Sequence, residues 1–183
     1  DNGYAWHKIA YYSGNQILTM KYPTIVDKSS DGYTDSVGGY RNRYNTEDGV
    51  YNCPPSSADA LDIRTEDYAT STANRVLVSH CLAKTSNIGL PVRLGVTLPL
   101  RQFYKPDGSI NQERREAVTK NFSTPVIMEP KSGPQPNITE VKVYAECMSA
   151  WFDWAIMENG TQNPALPGAE QSEMAIIDIG GQT

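Results

Sequence analysis

Cysteine and histidine are scarce in this sequence, and the few present do not cluster. Cys53, Cys81 and Cys147 are odd in number, far apart and without a C-x-x-C pair. That argues against a disulfide framework or a zinc site and fits a reducing cytoplasm. His7 and His80 have no companion acids around them, so both are expected to be structural or surface residues rather than metal ligands. No apolar run approaches the ~20 residues of a membrane span. No stretch with signal-peptide character opens the chain, and a soluble protein with no membrane partner is expected. An excess of basic residues is missing too: 16 Lys and Arg against 21 Asp and Glu leave a formal net charge of -5. Such a chain has no overall pull toward nucleic acid, so contact with DNA is expected to pass through another protein.

What is present is an ordinary globular composition, 39% hydrophobic and 20% charged over 183 residues, enough for one domain carrying a smaller inserted lobe. Residues 6–12 and 16–22 alternate around Ser13-Gly14-Asn15 and predict a β-hairpin. From Pro23 to about Ala60 the chain turns to Gly, Ser, Asp, Asn and Tyr, which predicts a small irregular lobe at about 23–62. Thr65 before Glu66 and Asp67 predicts a helix start, and the spacing of Ala69, Ala73, Val76, Leu77 and Cys81 predicts an amphipathic helix over 66–85 with one buried stripe. A strand at 94–98 ends at Pro99. Ser109-Ile110-Asn111-Gln112 has the form of a capping box opening an exposed helix to Asn121. Strands are expected at 125–128 and 138–144, a helix at 146–158, a loop at 161–172 and a buried strand at 174–179. Strands interleaved with helices predict an α/β fold.

Two segments carry chemistry. Asp1-Asn2-Gly3-Tyr4-Ala5 and Asp178-Ile179-Gly180-Gly181-Gln182-Thr183 each set an acid beside a glycine turn. Glycine lets the backbone approach a phosphate, successive N–H groups form an anion nest, and a carboxylate can hold Mg²⁺ through its water shell. One Asp-x-Gly alone is ordinarily just a turn; two of them, with Lys8 in the adjoining strand, suggest a polyphosphate grip. Glu146, by its position alone, reads as an acid favouring a helix dipole.

Asp1-Asn2-Gly3 with Lys8 resembles the first phosphate loop of the actin, Hsp70 and sugar-kinase superfamily, and residues 176–183 resemble its second. Gly95-Val96-Thr97-Leu98-Pro99-Leu100 with Tyr104, the charged helix ending at Asn121-Phe122, and Val141-Lys142-Val143 leading to Glu146 are similar to ParM/StbA-type plasmid-segregation actins. The resemblance implies an actin-like (RNase H-like) α/β domain: a five-stranded mixed sheet flanked by helices, with a small inserted subdomain. It implies ATP or GTP with Mg²⁺ as cofactors, Asp1 and Asp178 holding hydrated Mg²⁺, and phosphates held by Asp1, Asn2, Gly3, Tyr4, Lys8, Gly180, Gly181, Gln182 and Thr183. Glu146 would be the catalytic acid that orients the attacking water, with Asp178 beside it. The implied activity is ATP hydrolysis by a protein that polymerises head to tail and meets plasmid DNA through a DNA-binding adaptor. Another enzyme of the superfamily and a non-hydrolysing scaffold are the alternatives. A start at Asp1 without methionine, and an end just after a glycine pair, suggest the N-terminal part of a longer two-domain protein.

Overall fold

The computed structural model describes residues 1–28, 42–157, 159–169 and 175–176. The chain opens with the expected hairpin. Strands β1 (Trp6–Ser13) and β2 (Gln16–Pro23) pair antiparallel from Trp6↔Pro23 to Ser13↔Gln16. Gly14, at φ 61°, takes the left-handed conformation that a two-residue hairpin turn needs.

A second sheet follows, built from β3 (Asp27–Lys28), β4 (Arg43–Thr46) and β5 (Gly49–Asn52). Its spatial order is β3-β5-β4-β7, with β7 (Ile127–Met128) arriving from far along the chain. The lobe expected at 23–62 is therefore not closed on itself. Residues 127–128 supply its edge, Tyr44 pairing with Met128 and Asn45 with Ile127.

The helix expected over 66–85 starts later. Tyr68–Thr70 form a single 3-10 turn, and α1 runs Thr72–Ala83 with Ser71 as its cap, the Ser71 hydroxyl accepting from Asn74 N–H. Ser71 stays extended and so satisfies a free N–H that Thr65 is too distant to reach. Nor does α1 bury one stripe: every residue from Ala73 to Leu82 is buried. The reason is a helix shared by two cores. Ala73, Val76 and Leu77 pack with Val26, Tyr44, Tyr51 and Val126 of the small sheet's side. Val78 and Leu82 pack with Val96, Leu98, Phe122 and Val143 on the other.

That other side is a parallel pair, β6 (Pro91–Leu98) and β8 (Asn137–Ala145). It is joined by α2 (Leu100–Phe103) and α3 (Gln112–Ser123), and Val118 and Phe122 of α3 are fully buried in the second core. The start of α3 also departs from expectation. Asn111, not Ser109, is the cap, its side chain accepting from Arg114 N–H, while Ser109 is turned to Asp107. α4 (Met148–Ala155) begins two residues after Glu146 because Cys147 sits at φ 67° and breaks the helical path. Part of the expected loop at 161–172 is a turn of helix, α5 (Leu166–Ala169). The strand expected at 174–179 lies outside the described residues, apart from 175–176.

The described strands form two two-stranded sheets and one four-stranded sheet. Within them β1 pairs only with β2, and β6 only with β8. A slot of about 580 Å³ lies between β1 and β6, bordered by Ile9, Tyr11, Leu94 and Val96, with Val78 and Leu82 of α1 also lining it. Asn87 donates to Tyr12 O at one end of this slot, near where β6 begins. Asp1, His7 and Lys8, from the start of β1, line the slot together with Val96 from the later part of β6. β1 thus runs opposite to β6.

Candidate functional site

Asp1 and Lys8 are the base of a tight turn. Lys8 N–H donates to Asp1 O at 2.8 Å, the Asp1 nitrogen donates to Lys8 O at 3.0 Å, and Asn2 pairs with His7 in an antiparallel bridge. The ladder forces residues 3–5 into a narrow hairpin end. Space is tight at Gly3: an added Cβ would meet Trp6 O at 3.2 Å and an Asp1 carboxylate oxygen at 3.3 Å. A backbone without a side chain beside an ammonium can approach an anion closely.

Lys8 Nζ lies 2.9 Å from Asp1 Oδ2, and both side chains are largely exposed. An exposed pair of this kind is worth about 1 kcal/mol or less, so the ammonium is readily recruited to a more highly charged anion. The Tyr4 side chain turns away from the turn toward residues 65–68. Its hydroxyl donates to Thr65 O and its ring stacks on Tyr68 with centroids 5.2 Å apart. The side chain anchors the turn, which leaves the main chain as what Tyr4 can offer a phosphate.

Glu146 follows the last residue of β8, and its N–H donates to Leu98 O at 2.8 Å. This extends the parallel pair by one rung and places a half-buried carboxylate at the strand end. Asp1, Asn2, Gly3 and Lys8 thus share one turn at the start of β1, and Glu146 stands 138 residues beyond Lys8 at the end of the β6–β8 pair. Asp178, Gly180, Gly181, Gln182 and Thr183 lie outside the described residues. Among the described residues no group of three or more His, Cys, Asp and Glu is arranged to hold a metal ion. Mg²⁺ held through water by one or two carboxylates needs no such cluster.

Sequence reasoning missed the support beneath the turn. His7 is 3% exposed. Its Nδ1 lies 3.0 Å from Thr24 Oγ1, and its Nε2 lies 3.3 Å from the Asn74 side chain and 3.4 Å from Tyr68 OH. Burial pushes its pKa down to about 4, so the ring is neutral near pH 7. His7 is structural, as expected; Thr24 and Asn74 carry no local signal, being 17 and 67 residues away.

The class defined by these features is an α/β domain with a candidate anion-binding turn at the start of β1 and a carboxylate at the end of the β6–β8 pair. The sequence model of the family described as "Plasmid segregation protein ParM, N-terminal" matches residues 18–156, well over half of the chain. This chain belongs to that family. The matched span contains Glu146 and ends before Asp178; Asp1 to Lys8 lie ahead of it. No curated protein matches the sequence. No helix among the described residues is long and apolar enough to cross a membrane.

Proposed function

We propose that the protein is a nucleotide-driven, filament-forming actin-like ATPase that segregates plasmid DNA in the cytoplasm. The observations that carry the reading are the tight Asp1–Lys8 turn around Gly3 and a carboxylate, Glu146, at the end of the β6–β8 pair, in a chain of a plasmid segregation family. The amides around Gly3 cradle the β- and γ-phosphates of ATP or GTP, and Lys8 leaves Asp1 to neutralise them. Asp1 and Asp178 hold the water shell of Mg²⁺, which supplies charge stabilisation for the leaving phosphate. In this reading Gly180, Gly181, Gln182 and Thr183, whose sequence resembles the family's second phosphate loop, also bind phosphate. Glu146 accepts a proton from the water it orients, a role suited to a carboxylate at a strand end and not at a dipole-stabilised helix start. Hydrolysis loosens a head-to-tail association, and a DNA-binding adaptor links the filament to the plasmid.

The slot between β1 and β6 supports the five-stranded sheet that this reading requires. Among the described residues β1 pairs in sheet only with β2 and β6 only with β8, and the two strands face one another across the slot, an arrangement that one further strand would complete. The Asp1–Lys8 rung already runs antiparallel to β1 along that edge.

Light scattering of the full-length protein with ATP and Mg²⁺, with phosphate release followed in parallel, tests the reading. Scattering should rise and then decay as phosphate appears. Glu146→Gln should polymerise but release phosphate at least about 100-fold more slowly. Turnover without polymer at any concentration would transfer the protein to another enzyme of the superfamily. Polymer without turnover would make it a scaffold.

A further inference from the structure

Besides the Tyr4 anchor, Thr24 holds the turn around Gly3 from beneath. Thr24, just past β2, holds two of its carbonyls at once: the backbone N–H donates to Ala5 O at 3.0 Å and the hydroxyl donates to Gly3 O at 2.7 Å. Peptide units are planar and trans, so a carbonyl and the N–H of the same unit point in opposite directions. With the Gly3 and Ala5 carbonyls turned to Thr24, the Tyr4 and Trp6 N–H groups face away from it.

The hydrogen bonds behind Thr24 run in one direction. Its hydroxyl has a single proton, already given to Gly3 O, so toward His7 it can only accept. His7 is therefore the Nδ1–H tautomer, and its Nε2 is an acceptor. Tyr68 OH faces that nitrogen, and so does the Asn74 side chain. With Oδ1 toward His7 the buried Asn74 Nδ2 has no partner; exchanging the amide oxygen and nitrogen gives it one, the His7 Nε2. The result is a continuous donor chain from Asn74 on α1 through His7 and Thr24 to the carbonyl of Gly3.

We propose that Thr24 and His7 are positioning residues that aim the N–H groups of the Gly3 turn at the phosphates of a nucleotide. The inference rests on the nucleotide-binding reading above. Neither side chain touches the ligand; each acts by fixing which way a peptide plane faces, which a loose turn would leave to chance.

The test is a titration of full-length protein with Mg²⁺–ATP, alongside single-turnover hydrolysis at saturating nucleotide. Thr24→Val and Thr24→Ala should each raise Kd about tenfold, the loss of one oriented donor, while the turnover of bound nucleotide changes much less. Thr24→Ser, which keeps the hydroxyl, should bind within about twofold of the parent protein. Far-UV circular dichroism identifies the variants that remain folded, and the alanine variant serves if the valine one does not fold. A folded Thr24→Ala with unchanged Kd overturns the inference and leaves nucleotide binding standing. A parent protein that binds no nucleotide overturns both.

Discussion

His7 and His80 are buried at the same level of chemistry but serve different neighbours. Tyr44 OH sits 2.8 Å from His80 Nδ1, and the rings of Tyr22 and Tyr44 approach that imidazole edge-on. Burial first, then the nearby Lys84 charge, pushes the His80 pKa down to about 3, as burial pushes that of His7 to about 4. Both folded-state values lie below the ordinary 6.5, so the unfolded chain binds more protons between the two. Stability is fully present above pH 6.5 and falls as the pH drops through the folded values. Each histidine should cost about 2 kcal/mol between pH 6.5 and pH 5. Urea unfolding at the two pH values measures this, and His80→Gln should remove about half of the dependence. Gly3→Ala is a second test at this scale. Its Cβ would press on Trp6 O and the Asp1 carboxylate, so nucleotide affinity should drop about tenfold or more while the melting temperature moves by only a few degrees.

α1 is where the elements meet. Arg75, 3% exposed, reaches out of it to both carboxylate oxygens of Glu47 at the β4–β5 turn, and toward Asn121 O at the end of α3. Asn121 in turn donates to Ser71 O at the start of α1. The Arg75 guanidinium holds the Glu47 carboxyl below its usual range. A buried guanidinium without its counter-charge is expensive, yet Glu47 itself is half exposed and water can partly replace it. Glu47→Gln should therefore cost about 1–2 kcal/mol and Arg75→Ala about 2–4 kcal/mol, measured by chemical denaturation. The hairpin and the approximate places of α3, β6 and β8 were legible because their periodicity is local. The start of α1 and the cap of α3 were not: each choice between neighbouring polar residues depended on which one the packed chain left extended.

For the whole molecule, one helix serving two cores implies one cooperative unit. Leu77 packs toward the small sheet and Leu82 toward β6 and β8. Leu77→Ala should cost about 3 kcal/mol, and the loss should appear equally in far-UV and tryptophan-fluorescence transitions that remain coincident. Separate transitions would mean that the two cores unfold independently. Amides of residues 76–82 should also be the slowest to exchange with solvent, since opening them requires both cores to open.

Sequence by itself determined the class of fold, the family likeness and the identity of the residues suited to phosphate chemistry, because glycine turns, paired acids and strand periodicity are written within a few neighbouring positions. Tertiary structure alone decided what lies opposite what. It set Glu146 beside Leu98 at the end of the β6–β8 pair, gave the small sheet its edge from residues 127–128, turned the Tyr4 ring onto Tyr68, and stacked Asn74, His7 and Thr24 beneath Gly3. Those pairings span tens of residues, and only closing the chain around α1 makes their energies count.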